Sequence, residues 1–426
     1  MPSLAVRNFG CRANRAEAFG WAEALRGRGL PVGEDWGGSD VVVVNSCTLT
    51  GRADRDVRKF VRAVARGNPA ARIVVTGCYA ERAPGEVAAL PNVVAVLPQS
   101  AKPGLEERLF EMAGGSRPAR EAAAGLDGAV AEAAPSRARA YLKVQDGCGD
   151  RCAFCVIPGV RGPGRSVPAG EAAAAVRRLA ARGYREIVLT GVNLSSYGED
   201  LEPRSSLLGL LGEIEGAAGE ARLRLSSLDP RRTDEALAAR VAASPALCRL
   251  FHLSLQHASD RVLRAMGRPG EAERNGRLVE TFWALAPDAA LGADLMVGFP
   301  GETGADFEAL RDFLERSPLT YAHVFPYSPR PGTPAAARPR LPEGVVAGRA
   351  RALRRIAAAK DLAFRRRLEG RVLEAVVIGG RDGGAEVLTG NGVRVRVASC
   401  RAPRRELVRV RIGRARPGLT EGEVAP

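Results

Sequence analysis

Residues 146–166 read DGCGDRCAFCVIPGVRGPGRS and set Cys148, Cys152 and Cys155 within eight residues, spaced C-x3-C-x2-C. A closed zinc site takes four ligands, so three thiols alone leave one position open. The stretch heads a series of short apolar runs. EIVLTG (186–191), RLRLSS (222–227), LFHLSLQ (250–256), LGADLMVGFPGE (291–302) and YAHVFPYS (321–328) read as strands with helical patterns between them. That alternation predicts a βα barrel with fewer than eight units.

Toward the N-terminus, SLAVRNFGC (3–11), DVVVVNSC (40–47) and ARIVVTGC (71–78) read as further strands. Val57, Phe60, Val61 and Val64 recur at helical spacing between the second and third. Strand, helix, strand implies parallel strands in a doubly wound sheet. Cys11, Cys47 and Cys78 each follow the carboxyl end of one of these strands. Parallel strands bring such ends to one edge, where open α/β sheets bind ligands. Three cysteines distant in sequence can therefore converge; buried structural thiols are the plain alternative. Toward the C-terminus, VRVRV (393–397) and LVRVRI (407–412) alternate apolar residues with arginine, as half-buried strands do. They predict a small β-barrel with one basic face. The expected class is α/β: a doubly wound domain over 1–125, a linker over 126–138, a partial βα barrel over 139–368 and a β-barrel over 369–426. The linker reading rests on the weak apolar patterning of residues 112–138.

Composition narrows the function. A chain of 426 residues suggests about two to four domains. Its 46% hydrophobic content supports real cores. No apolar run approaches the ~18 residues of a membrane helix, and the opening MPSLAVRNFGCR carries no apolar leader, so a cytoplasmic protein without membrane contact is expected. Eight cysteines are too few for a disulfide scaffold of this length, which points to reduced thiols holding metal. The formal charge is +15 and the pI about 10.1. Only Lys59, Lys102, Lys143 and Lys360 are lysines, a compositional bias toward arginine. That bias does not create an excess of bases over acids, and the excess points to a polyanionic partner.

A [4Fe–4S] cluster normally takes four thiolates, so three leave one iron open to a non-protein ligand. On the 148–155 loop, that iron can chelate the amino and carboxylate groups of S-adenosylmethionine. One electron into the sulfonium then splits its bond to the ribose carbon and yields a 5′-deoxyadenosyl radical. The reading from another class is a metal-stabilised RNA-binding protein without redox chemistry. Structural sites close their coordination and catalytic sites leave a gap. Two triads with gaps favour the enzyme.

NFGCRANRAEA (8–18), VVNSCTLTGRADRDVRK (43–59), VVTGCYAER (74–82) and KVQDGCGDRCAFCVIPGVRG (143–162) resemble the methylthiotransferase family of radical S-adenosylmethionine enzymes. The resemblance covers nearly the whole chain. It implies an N-terminal methylthiotransferase domain, a radical core and a C-terminal RNA-binding barrel of the TRAM type. It implies two [4Fe–4S] clusters: Cys148, Cys152 and Cys155 hold the one that cleaves S-adenosylmethionine, and Cys11, Cys47 and Cys78 hold an auxiliary one that carries sulfur. A second S-adenosylmethionine supplies the methyl, so a methylthio group replaces a hydrogen. Phe154 is implied beside the cofactor's adenine, Gly191 and Asn193 of LTGVN (189–193) at its amino group, and Ser226 at its ribose. The implied partners are tRNA and a low-potential electron donor resembling flavodoxin or ferredoxin.

The chain departs from the family pattern at Val167, after Ser166, and at QHAS (256–259), where the family has QSGS. His252, His257 and His323 read as packed or hydrogen-bonded barrel residues, Asp294 as a hydrogen-bonded strand-end carboxylate, and Cys248 and Cys400 as incidental. VQDGC (144–148), LTGVNLSSYGED (189–200), RLRLSSLDP (222–230) and HVFPYSPRPGTPAA (323–336) look most like the branch acting on N6-threonylcarbamoyladenosine at position 37 of tRNA. The other branches act on isopentenyladenosine in tRNA and on an aspartate of a ribosomal protein. Arg330 is a candidate for the threonyl carboxylate, with a surface loop arginine as its alternative.

Overall fold

The computed structural model describes residues 3–114, 138–268, 272–380 and 383–426. The linker expected over 126–138 lies outside the described residues, apart from residue 138.

The first sheet contains β1 (Leu4–Asn8), β2 (Val32–Gly33), β3 (Val41–Ser46), β4 (Arg72–Gly77) and β5 (Val93–Leu97), in the order β2-β1-β3-β4-β5 and parallel throughout. Alternate residues of β3 face opposite layers. Val41 and Val43 pack with Trp21 and Leu25 of α1 (Arg12–Gly27). Val42 and Val44 pack with Val57, Val61 and Val64 of α2 (Gly51–Gly67). Burial on both faces explains why this strand reads as an unbroken valine run.

The central unit places β6 (Ala140–Lys143), β9 (Glu186–Thr190) and β10 (Arg222–Leu225) in one parallel sheet, and β11 (Leu250–Gln256), β12 (Ala290–Val297) and β13 (Tyr321–Pro326) in another. Parallel bridges at Leu223–Leu247 and Leu228–Leu253 join the two. The result is a six-stranded partial barrel with helices outside. Between β6 and β9 in the chain, the short β7 (Gln145–Asp146) and β8 (Arg165–Ser166) form an antiparallel ribbon.

No ladder joins β6 to β13 among the described residues, and the first domain covers that gap. On one side Ala16 of α1 packs on Tyr141 of β6. On the other, the Gly51 amide donates to Ser328 Oγ at 3.0 Å. Arg330 corrects both sequence expectations. It is 3% exposed and donates to Thr48 Oγ1 at 2.7 Å and Asp54 Oδ2 at 2.5 Å, so it clasps the two units and lies neither at the surface nor free for a substrate.

At the C-terminus β14 (Val372–Gly379), β15 (Ala385–Thr389), β16 (Arg394–Val397), β17 (Leu407–Arg416) and β18 (Leu419–Val424) close a barrel in the order β14-β15-β16-β18-β17. Val395, Val397 and Val410 fill it, while Arg394, Arg396, Arg409 and Arg411 are exposed outside. The barrel docks through Glu186, whose buried carboxylate receives Arg139, Arg222 and Arg224. Arg222 also donates to the carbonyls of Glu374 and Leu388, and Arg224 to that of Thr389. Burial pushes the Glu186 carboxyl up, but Arg224 and Arg222 outweigh it and hold it below the usual range. Glu186→Gln is expected to cost about 3–5 kcal/mol, because three guanidinium groups lose their counter-charge. A urea titration checks this. With a depressed native pKa, the wild-type advantage is full above the ordinary carboxylate range and is lost as the pH falls through the native value.

Candidate active site

β1, β3 and β4 are neighbours, and their carboxyl ends stand side by side. Cys47 and Cys78 directly follow β3 and β4, and Cys11 is the N-cap residue of α1. The three thiols interact electrostatically with one another. Gly10 makes the approach possible: its φ is +91°, and a Cβ there would lie 2.4 Å from Cys47 Sγ. Burial pushes the Cys11 thiol up and that of Cys47 up to about 12. A bound metal reverses this, since the ligating form is the thiolate.

The second triad occupies the loop between β7 and β8, at the carboxyl end of β6. Gly147 turns the chain with φ +69°, where a Cβ would lie 1.9 Å from the Pro163 carbonyl oxygen. The Cys148 amide donates to the Gly162 carbonyl, and the Ala153 amide to that of Met266. Burial pushes the Cys148 thiol up and that of Cys155 up to about 12. A closed zinc site wants a fourth ligand, whereas three thiolates with a gap suit a cuboidal cluster.

The two triads border one apolar cluster. Cys78, Cys148 and Cys155 pack with Val156, Ile157, Val160 and Val192 in one apolar cluster. Beside it, Arg161 ends the helix Ile157–Arg161 with a fully buried side chain. Its Nε donates to Cys78 Sγ at 3.3 Å. Its Nη1 donates to Asp146 at 2.6 Å and to Glu17 at 3.0 Å, and Nη2 donates to Asn14. Lys102 and Lys143 also reach Glu17, at 2.5 and 2.8 Å. Burial pushes the Glu17 carboxyl up, but Lys102, Lys143 and Arg161 outweigh it and hold it well below the usual range. Sequence reading missed this network, because Arg161 stands 83 residues from Cys78 and 144 from Glu17.

Gly191 and Asn193 follow β9 and Ser226 follows β10, on the same barrel edge as the 148–155 loop. Asn193 Nδ2 donates to Asp150 at 3.1 Å and lies 3.9 Å from Cys148 Sγ. Asn193 Oδ1 and Ser226 Oγ are buried without a hydrogen-bond partner. At Gly191 a Cβ would lie 2.9 Å from Gln145 Oε1. Unsatisfied polar atoms next to a gapped triad fit a cofactor with amino, carboxylate and ribose groups. Phe154 is half-buried and meets Phe299 edge-on at 6.5 Å. Sequence reading also missed Asp150, which Arg231 and Arg232 hold at 2.5 and 3.0 Å, and Arg268, 4.0 Å from Cys152 Sγ. Only the fold brings these segments together.

His252 donates to or accepts from Tyr321 at 3.0 Å and pairs with Asp294 at 2.9 Å, and His323 lies 3.5 Å from the same carboxylate. Asp294 stands inside β12, not at its end, which corrects that detail. Burial pushes its carboxyl up, but the two histidines outweigh it and hold it below the usual range. His257 is buried and accepts from the Ser259 amide. Cys248 sits by Glu186 and Cys400 in the C-terminal barrel, away from both triads.

The radical SAM superfamily model matches residues 142–314, and that of uncharacterized protein family UPF0004 matches residues 3–98. The chain is 35% identical to threonylcarbamoyladenosine tRNA methylthiotransferase MtaB of Thermotoga maritima, over 79% of this chain and 77% of that protein. The chain belongs to the radical S-adenosylmethionine methylthiotransferase family. It is also 35% identical to ribosomal protein uS12 methylthiotransferase RimO of Roseiflexus sp., over 88% and 85% of the two chains. Identity is 34% to tRNA-2-methylthio-N(6)-dimethylallyladenosine synthase of Cereibacter sphaeroides, over 99% and 98%. Among solved structures, the methyltransferase TsrM of Kitasatospora setae shares the fold, with a TM-score of 0.55 at 18% identity over 79% and 77% of the chains. Membership makes the chain an enzyme and implies S-adenosylmethionine and a [4Fe–4S] cluster.

Gly10→Ala is expected to push Cys47 out of place and to reduce bound iron. Iron analysis of anaerobically purified protein checks this. Unchanged iron would remove the N-terminal triad from the cluster-binding set.

Proposed function

We propose that this chain converts N6-threonylcarbamoyladenosine, at position 37 of tRNA, to its 2-methylthio derivative. The observation that carries the reading is that Cys78 of one gapped triad and Cys148 and Cys155 of the other share one apolar cluster. In this reading each triad holds a [4Fe–4S] cluster, and Phe154, Gly191, Asn193 and Ser226 receive S-adenosylmethionine. When bound, these groups supply the carbon radical, the sulfur and the methyl. The chain's own part is to place and insulate them. The apolar residues around Cys78 exclude water between the triads. Arg161 donates to Cys78 Sγ and fixes that thiolate's position. Asp150, held by two arginines, fixes the Asn193 amide beside Cys148.

The substrate choice is supported by the barrel lumen. His252, Asp294 and Tyr321 form a polar group on β11, β12 and β13, with Arg12 near them, and such polar groups suit a carboxylate-bearing base. A ribosomal aspartate also carries a carboxylate. The exposed arginines of the C-terminal barrel favour RNA. An anticodon-loop adenosine is unpaired and can be splayed into the lumen. The reading divides the chain into a cluster domain over 1–125, a radical core over 139–368 and an RNA-binding barrel over 369–426. It also takes a flavodoxin- or ferredoxin-like reductant and a cytoplasmic site of action.

Reconstituted protein is expected to methylthiolate tRNA carrying N6-threonylcarbamoyladenosine, as read by nucleoside mass spectrometry. Turnover only on isopentenyladenosine tRNA or on a ribosomal protein would replace this substrate. For the RNA surface, Arg394 is partly offset by Glu386 at 2.9 Å, and Arg411 lies 3.7 Å from Glu423. Neutralising Arg394, Arg396, Arg409 and Arg411 together is expected to flatten the salt dependence of tRNA binding. The log–log slope should fall by up to about 0.7–0.9 per lost phosphate contact. An unchanged slope would exclude this face.

A further inference from the structure

Arg12 directly follows Cys11 at the start of α1. α1 packs on β6 through Ala16 and Tyr141, and the Arg12 guanidinium interacts electrostatically with Tyr141, Tyr321 of β13 and Arg224 of β10, which puts it near the gap that the first domain covers. Its Nη1 is buried without a hydrogen-bond partner. Its side chain makes no hydrogen bond or ion pair with any described residue. A buried arginine stays charged.

The surrounding charges are already committed. Arg139, Arg222 and Arg224 share Glu186. Asp294 is taken by His252 and His323. Arg15 donates to the Tyr141 hydroxyl at 3.1 Å, and Arg139 does so at 3.2 Å. Arg12 is thus a cation with no anion to meet it among the described residues. A buried, unpaired charge lowers stability unless a partner arrives. A planar guanidinium pairs best with a planar carboxylate, through two parallel hydrogen bonds. His252 anchors the Tyr321 ring close to the same place.

We propose that Arg12 binds the carboxylate of the threonylcarbamoyl group and so decides which modified adenosine enters the lumen. This rests on the substrate reading above and adds the residue that reads it. Because Arg12 adjoins Cys11, the bound carboxylate also registers the base against the N-terminal triad.

The test compares binding of three anticodon stem-loops to cluster-loaded protein without reductant. They carry N6-threonylcarbamoyladenosine, its neutral methyl ester, or unmodified adenosine. Wild type is expected to bind the acid about tenfold or more tighter than the ester, the scale of a charged hydrogen-bonded pair. Arg12→Gln is expected to bind acid and ester alike, and Arg12→Lys to keep part of the preference. An acid preference that survives in Arg12→Gln overturns the proposal. So does an equal loss on all three RNAs, which would assign Arg12 to a backbone phosphate. A wild type that turns over the threonylcarbamoyl tRNA but does not distinguish acid from ester ends this inference and leaves the substrate reading standing. A wild type that modifies only isopentenyl tRNA ends the substrate reading itself. The wild-type ratio keeps the proposal open to failure even where Arg12→Gln loses its iron.

Discussion

Arg161 joins the two halves of the site, and the arrangement depends on its being satisfied on both sides. Its guanidinium is buried, so each donor needs an acceptor. Asp146 comes from the radical unit, while Glu17, Asn14 and Cys78 come from the first domain. Moving one unit relative to the other would part Arg161 and Lys143 from Glu17, and Arg161 from Asn14 and Cys78, leaving buried polar groups short of partners. That cost holds the facing edges in register. Arg330 repeats the device at the far side of the gap, with Asp54 and Thr48 as its acceptors.

The fold explains why both triads fall at one place. Each lies at the carboxyl edge of a parallel sheet, where backbone and loops converge on ligands. The partial barrel has only six strands, so it leaves a lateral opening. The first domain fills that opening with α1, the start of α2 and the N-terminal triad. One unit therefore supplies a wall of the other's cavity.

The sequence revealed what local pattern encodes. Valine runs ending in Cys47 and Cys78 showed both the strands and the edge. The Val–Arg alternation of β16 and β17 showed the closed barrel and its exposed arginines. The C-x3-C-x2-C loop showed the second triad. Long-range polar partners were not readable, because no periodicity links Arg161 to Glu17 or Arg330 to Asp54. Arg330 was misread for this reason: in sequence it stands in a Pro- and Gly-rich loop, while in the fold that loop lies under α2. Arg12 passed unnoticed for the opposite reason. An arginine beside a cysteine carries no signal until the structure shows that no described residue answers its charge.

The account's central claim is that two separate three-cysteine sites divide the chemistry between them. The most direct measurement compares two triple-alanine variants for 5′-deoxyadenosine release and for methylthiolated nucleoside in one anaerobic assay. Replacing Cys148, Cys152 and Cys155 should abolish both products. Replacing Cys11, Cys47 and Cys78 should preserve 5′-deoxyadenosine release and abolish methylthiolation. Full methylthiolation by the second variant would contradict the account.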